Sequence, residues 1–353
     1  MTIPISNNAK MQGLIELLRS FGSVAIGFSG GVDSTFLAAV SIRTLPPADV
    51  HLIHLDTPFV GTPERKSFER ERERFERAGA HVVTIETDPL ADPDVAANPA
   101  DRCYHCKRLG FQRIVDAACE LGVRVVLEGS NADDVGDYRP GTRAVRELDV
   151  RSPLMETGWC KDVERALLRA WGFDVWDLPA GACLATRISC GEALTAEKLH
   201  TVRMCEDYLH GLGLRQVRVR IDSGMARVSV GADENVGAIV EAGNHAGARS
   251  NAGSEPSRLA PAVVRELQVR GCAAVDPVVH PYHRGQGNGA APRKRLICGA
   301  SRPWQRQSKE DQAYYEQHSS YQNQQTTYQN HQSSDPDIID VDYKVVDEED
   351  NTQ

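Results

Sequence analysis

One string of six residues, Ser29-Gly30-Gly31-Val32-Asp33-Ser34, constrains this chain more than any other feature. It follows directly on the apolar run Val24 to Phe28 and opens a stretch, Ser34 to Ile42, that reads as a helix. A strand that turns through two glycines into a helix is a building unit of α/β folds. The backbone must bend tightly there, which residues without a Cβ allow. The neighbouring sequence keeps the alternation. Met11 to Leu18 carries apolar residues at helical spacing, Val50 to Leu55 is a second strand, and Glu64 to Ala78 is a charged surface helix. His81 to Thr87 and Arg124 to Glu128 are further strands, separated by a helix from Gly110 to Leu121. This order predicts a parallel sheet with helices on both faces and a ligand site at the carboxyl ends of its strands.

A second, smaller α+β unit follows. Trp159 to Trp171 is helical, Asp177 to Ala182 breaks the pattern, and Ala193 to Leu212 is another helix. Val217 to Ile221 and Ala226 to Val230 then alternate as a strand pair. Gly243 to Ser257 is rich in Gly, Asn, Ala and Ser and reads as a linker, with one more helix from Leu259 to Val269. From Lys309 the composition turns to Gln, Asn, Tyr, Ser and His and ends in acids; such a segment buries too little apolar area to offset its ordering entropy. The expected organisation is an α/β domain over 1–165, a small α+β domain over 166–240, an irregular part over 241–308 and a disordered acidic tail over 309–353.

The net charge of −9 is a property of that tail. Eight acids lie between Asp335 and Asp350 against Lys344 alone, so the segment carries −7 and the rest of the chain −2. A near-neutral body offers no broad basic field for a nucleic-acid backbone, so nucleic acid is not an expected partner. No apolar run reaches the roughly 18 residues that a membrane helix needs, and Met1 to Ser6 lacks the basic-then-apolar plan of a secretion signal. The expectation is a cytoplasmic protein. In that setting nine cysteines do not make a disulfide framework.

The glycine string has a chemistry of its own. Gly30 and Gly31 let the backbone approach phosphate oxygens, and the following helix presents unpaired N–H groups and a positive dipole end to an anion. Ser29 and Ser34 add hydroxyl donors, and Asp33 can help hold a Mg²⁺ ion bridging pyrophosphate. The lysine of a Walker loop is missing. The string resembles the pyrophosphatase loop of the ATP-pyrophosphatase (PP-loop) superfamily, whose members cleave ATP to AMP and pyrophosphate while adenylating a substrate oxygen. That resemblance implies ATP bound by residues 29–34, with Asp56 at the end of the second strand beside the adenosine. Glu128-Gly129-Ser130-Asn131-Ala132-Asp133-Asp134 ends another strand and brings Glu128, Asp133 and Asp134 to the same edge.

Three of the cysteines carry a further signal. Cys103 and Cys106 stand at C-x-x-C spacing beside Arg102, His105 and Lys107, and Cys183 follows the breaker with Arg187 one turn on. Cationic neighbours favour thiolates, which are both nucleophiles and metal ligands. The strings Asn98-Pro99-Ala100-Asp101-Arg102-Cys103-Tyr104-His105-Cys106-Lys107, Glu128 to Asp134 with Asp137 to Gly141, Arg151 to Leu154, and Cys183 to Ile188 together resemble the LarE family. These are ATP-dependent sulfur transferases of nickel-pincer nucleotide cofactor synthesis. The resemblance implies adenylation of a carboxylate of pyridinium-3,5-biscarboxylic acid mononucleotide, then displacement of AMP by sulfur to leave a thiocarboxylate. It implies catalytic roles for Asp33, Glu128 and Cys183. Arg187, Arg218, Arg220, Asp133 and Asp134 would serve the substrate, and the chain would form a homo-oligomer. Some members sacrifice the sulfur of one cysteine; others hold a [4Fe-4S] cluster on three. The presence of Cys103, Cys106 and Cys183 favours the cluster form. Members carry an acidic residue where this chain has Ser229, and Pro281 to Asn288 is a distorted echo of their C-terminal string. The alternatives are a tRNA-thiolating enzyme of the same superfamily, an amidating synthetase, and a nucleotide-binding scaffold without activity.

Overall fold

The computed structural model describes residues 5–134, 141–241 and 257–282. Asp137 to Pro140, most of the linker, the string after Tyr282, Cys298 and the acidic tail therefore lie outside the described residues. The chain is mixed α/β, with one parallel sheet and a separate small sheet. In chain order the first part runs α1 (Ile5–Phe21), β1 (Val24–Gly27), α2 (Val32–Thr44), β2 (Val50–Asp56), α3 (Thr62–Arg77), β3 (His81–Glu86), α4 (Pro93–Ala96), α5 (Arg102–Glu120) and β4 (Val126–Leu127). The short helices α6 (Gly141–Glu147) and α7 (Pro153–Glu156) follow, then α8 (Lys161–Ala170). The second part comprises α9 (Ala196–Gly211), β5 (Val217–Asp222), β6 (Met225–Val230), α10 (Pro261–Val269) and β7 (Ala274–Pro281).

The first sheet has the order β3-β2-β1-β4, and every pairing in it is parallel. Its central strands are apolar at successive positions because both faces are covered. Val24, Ile26, Leu52 and Leu127 face one side, where they pack with Leu14 and Leu18 of α1, Phe36 and Leu37 of α2, Phe75 of α3 and Leu168 of α8. Ala25, Ile53 and Val126 face the other side, against Ile114 and Ala118 of α5 with Val145 and Val150. Trp159, 1% exposed, packs on Phe36 and closes the first core beneath α8.

In the second sheet β5 and β6 form an antiparallel pair, and β7 adds to β6 in parallel. Val217, Val219, Val228 and Val230 pack with Leu199, Val202 and Leu209 of α9 and Leu267 of α10. Phe59, from the loop after β2, and Val95 of α4 belong to the same core. The small unit is thus seated on the loops that leave β2 and β3. Among the described residues no helix is long and apolar enough to cross a membrane.

Candidate active site

The glycine turn sits at the carboxyl edge of the parallel sheet, between β1 and α2. Gly30 adopts φ +69°, and a Cβ there would stand 2.4 Å from Phe68 Cα, so only glycine fits. Ser67 of α3 donates to the Gly30 carbonyl at 2.7 Å and pins the turn. The N-cap of α2, Gly31, supplies no side-chain acceptor, so the first N–H groups of this helix stay available to an anion. The Ser29 and Ser34 hydroxyls lie 3.1 Å apart across the turn.

Asp33, in the first turn of α2, is the hub of a polar cluster. Lys161 Nζ lies 3.0 Å from one carboxylate oxygen, and Asn131 Nδ2 donates to the other at 3.2 Å. Asn131 also donates to both oxygens of Glu164, at 3.3 and 3.4 Å. Glu164 is fully buried. Burial, then a hydrogen bond with Asp33 and the Asp33 charge, push its pKa up to about 10, so at neutral pH it is a neutral acid that donates to Asp33. A Cβ on Gly129 would stand 3.1 Å from the Ser34 backbone N and 3.2 Å from Asp33 Cβ; this close approach brings the end of β4 against the loop.

Glu128, just past β4, is also buried. Burial works against its ionisation, but Lys107 and hydrogen bonds from Ser130 and Ser152 outweigh that and hold its pKa below the ordinary carboxylate value. Lys107 Nζ donates to it at 2.9 Å, the Ser152 hydroxyl at 2.5 Å and the Ser130 N–H at 3.2 Å. Asp56, at the end of β2, pairs with Arg65 of α3 at 2.5 Å. Asp133 accepts from the Lys161 N–H at 2.8 Å and so caps α8, while Asp134 accepts from the Asn131 N–H at 3.3 Å.

Cys103 and Cys106 lie on the first two turns of α5, and Cys183 lies just before the 3₁₀ turn Leu184–Arg187. Two residues tie these distant segments together. Asn98, fully buried with φ +54°, donates through Nδ2 to the carbonyls of Ser189 (2.8 Å) and Glu192 (3.1 Å). Arg102, 1% exposed, donates to Asn98 Oδ1 at 2.7 Å, to the Ala185 carbonyl at 3.0 Å and to Cys103 Sγ at 3.4 Å. Burial, then Cys183 and Cys103, push the Cys106 thiol up to about 12. Burial also raises Cys183, against the pull of the Arg102 charge.

The arginines sit on the second unit. Arg187 and Arg218 are buried; Arg218 donates to the Ala180 carbonyl at 2.5 Å, and Arg220 Nη1 to Ser229 Oγ at 3.2 Å. Burial lowers the pKa of both Arg218 and Arg220. Ser229, at the position where the resemblance leads one to expect an acid, is thus a neutral partner of Arg220.

Sequence reasoning missed Glu164 and Lys161 around Asp33, and it quoted Asn131, Asn98 and Arg102 within motifs without the tethering roles they have here. Lys161 and Glu164 share a helix face at i, i+3 spacing, which was the available signal. Among the described residues, no group of three His, Cys, Asp or Glu side chains is arranged to grip a metal ion.

Sheet and loops together describe an α/β protein with a glycine turn at the carboxyl edge of its parallel sheet and a Cys183 segment tied to the start of α5. No family model matches the chain. It is 35% identical over 222 residues to an uncharacterized protein of Synechocystis sp., covering 63% of this chain and 81% of that one. It is 31% identical over 221 residues to the pyridinium-3,5-bisthiocarboxylic acid mononucleotide synthase of Lactiplantibacillus plantarum, covering 63% and 79%. A shorter likeness, 32% over 124 residues, relates it to the cytoplasmic tRNA 2-thiolation protein 1 of Aspergillus niger, of which it covers 36%. The chain belongs to the LarE-type pyridinium-3,5-bisthiocarboxylic acid mononucleotide synthase family.

Proposed function

We propose that this protein is an ATP-dependent sulfur transferase that converts pyridinium-3,5-biscarboxylic acid mononucleotide to a thiocarboxylate. The observation that supports the reading is that Asn98 and Arg102 tie the segment following Cys183 to the start of α5, which bears Cys103 and Cys106. A carboxylate is a poor acyl donor because its oxygen leaves badly. Attack of that oxygen on the α-phosphorus of ATP expels pyrophosphate and makes AMP the leaving group. Sulfur then adds to the acyl carbon and AMP departs. Holding both partners in one cleft is what makes the second step fast.

The free N–H groups of α2 and the Ser29 and Ser34 hydroxyls would receive the pyrophosphate, with Asp33 holding Mg²⁺ and Lys161 offsetting phosphate charge. Glu128, kept ionised by Lys107, would orient the activated end of the substrate. As a donor set, three sulfurs suit a [4Fe-4S] cluster better than a harder ion, although the three side chains are not arranged to grip a metal in this structure. Cys103, Cys106 and Cys183 would hold it, and when bound it supplies an iron open to an external sulfide. Arg218 and Arg220 would face the substrate's anionic groups, and the assembly would be a homo-oligomer of cytoplasmic chains.

Incubation with ATP and the mononucleotide tests this reading. Pyrophosphate release together with a thiocarboxylate product is expected. The Aspergillus likeness supports a second reading, tRNA thiolation. Turnover with bulk tRNA and none with the mononucleotide would replace the first reading with the second.

A further inference from the structure

Arg187 resembles a substrate ligand in the sequence, yet its hydrogen bonds in the fold are all internal. It is 3% exposed. Nε and Nη2 donate to the two oxygens of Glu206 at 2.9 and 3.2 Å, a bidentate pair. Nη1 donates to the carbonyls of Ala182 (2.8 Å) and Cys183 (3.2 Å) and to Thr186 Oγ1 (3.0 Å). A guanidinium has five N–H groups. Nε and Nη1 are committed, and Nη2 keeps a single hydrogen beyond its bond to Glu206, so no two-donor edge is left for a phosphate or carboxylate. Glu206 is equally occupied, because it also accepts the Val219 N–H of β5 at 2.9 Å. On the far side of the same segment the Leu184 N–H donates to the Phe59 carbonyl at 2.8 Å. The backbone on either side of the Cys183 sulfur is therefore gripped from α9 and β5 through one guanidinium, and from the β2 loop through one amide.

We infer that Arg187, braced by Glu206, is a positioning residue that fixes where the Cys183 sulfur stands, and not a ligand of the substrate. The inference rests on the sulfur-transferase reading for the importance it gives Cys183; the grip itself does not. Loss of the guanidinium leaves the Ala182 carbonyl without its anchor and takes one of three donors from the Cys183 carbonyl, which keeps the Thr186 hydroxyl at 2.7 Å and the Thr186 N–H at 2.9 Å. The sulfur then drifts from the acyl carbon while the glycine turn and the Asp33 cluster are untouched.

The test uses the full chain, ATP and pyridinium-3,5-biscarboxylic acid mononucleotide. In R187Q, pyrophosphate release and the KM for the mononucleotide stay as in the unmodified protein. Thiocarboxylate turnover at saturation falls on the order of a hundredfold, the loss expected for a misplacement of about 1 Å. Amide hydrogen exchange over residues 179–188 speeds up. E206Q keeps the shape of the pair but removes its charge, and shifts the turnover and exchange readouts in the same direction by less; it also covers the case in which R187Q does not fold. A raised KM with undiminished turnover at saturation would make Arg187 a substrate ligand and overturn the inference, as would unchanged exchange over 179–188. If the unmodified chain acts on tRNA and not on the mononucleotide, the functional reading fails, and the exchange measurement still decides whether Arg187 grips the segment.

Discussion

Glu164→Gln should stabilise the protein, by an amount that depends on pH in a defined way. The Glu164 carboxyl has an ordinary pKa of 4.5 and is pushed up to about 10 in the fold by burial and by Asp33. Between those values the folded chain binds a proton there that the unfolded chain does not. Stability attached to this group is therefore complete below about pH 4.5 and declines as pH rises towards 10. At pH 7 the decline has run through two and a half pH units, at about 1.4 kcal/mol each, or about 3 kcal/mol in all. This figure depends on the exposed pKa and the assay pH, and not on the folded value so long as that stays above 7. Glutamine is neutral at every pH and has the same shape. Its oxygen can accept from Asn131 and its amide can donate to Asp33, so the change removes the pH-dependent cost and gives up only the second of the two long Asn131 contacts. Urea unfolding of the two proteins in chelator-containing buffer would measure the difference. It should be near zero close to pH 4.5 and approach about 3 kcal/mol in favour of the variant at pH 7. A difference that stays flat between pH 5 and pH 8, or a variant less stable throughout, would mean that Glu164 is ionised in the fold and that the reasoning about the Asp33 cluster is wrong.

Other expectations address the reaction. Gly30→Ala places a Cβ 2.4 Å from Phe68 Cα at a φ of +69°; the backbone term alone costs about 1–2 kcal/mol, and pyrophosphate release should be lost. Asp33→Asn should suppress pyrophosphate release, whereas Cys183→Ala should spare it and abolish thiocarboxylate formation. The opposite pairing, read by phosphate and product assays, would exchange the two roles. Anaerobic purification should give brown protein with about four irons per chain; colourless, iron-free protein after reconstitution would reject the cluster.

The parallel sheet was legible because a strand covered on both faces is apolar at every position, as Val24 to Ile26 and Leu52 to Ile53 are. Helix ends were less so: α2 begins at Val32, inside the glycine string, because the turn hands over to the helix without a side-chain cap. β7 went unread because Pro277 interrupts its pattern. At the edge of the small sheet a proline is tolerated, and its carbonyl still accepts the Leu259 N–H at 2.7 Å. Glu164 was invisible for another reason. A glutamate in a helix between Asp162 and Arg165 looks like solvated surface, and only the packing of α8 on α2 buries it. Arg187 shows the converse, since a motif that resembles a binding segment does not reveal where the guanidinium spends its hydrogen bonds.

The two polar networks are built on different cores, and this bears on how a two-step reaction could be kept in order. The Asp33 cluster hangs on α2, α8 and the end of β4, all rooted in the first core. The thiol segments are held by Asn98, Arg102 and Arg187 along the seam with the second core, against which Cys106 and Cys183 pack. Lys107 offers a link between them. Lys107 follows Cys106 on α5, yet its ammonium pairs with the buried Glu128 at 2.9 Å at the end of β4. The first two turns of α5 therefore present sulfur to one network and charge to the other. If activation alters the charge beside Glu128, Lys107 is the side chain through which the thiol-bearing turn would sense it. Lys107→Met should then slow sulfur transfer more than pyrophosphate release; equal slowing of both steps would place Lys107 wholly in the activation site.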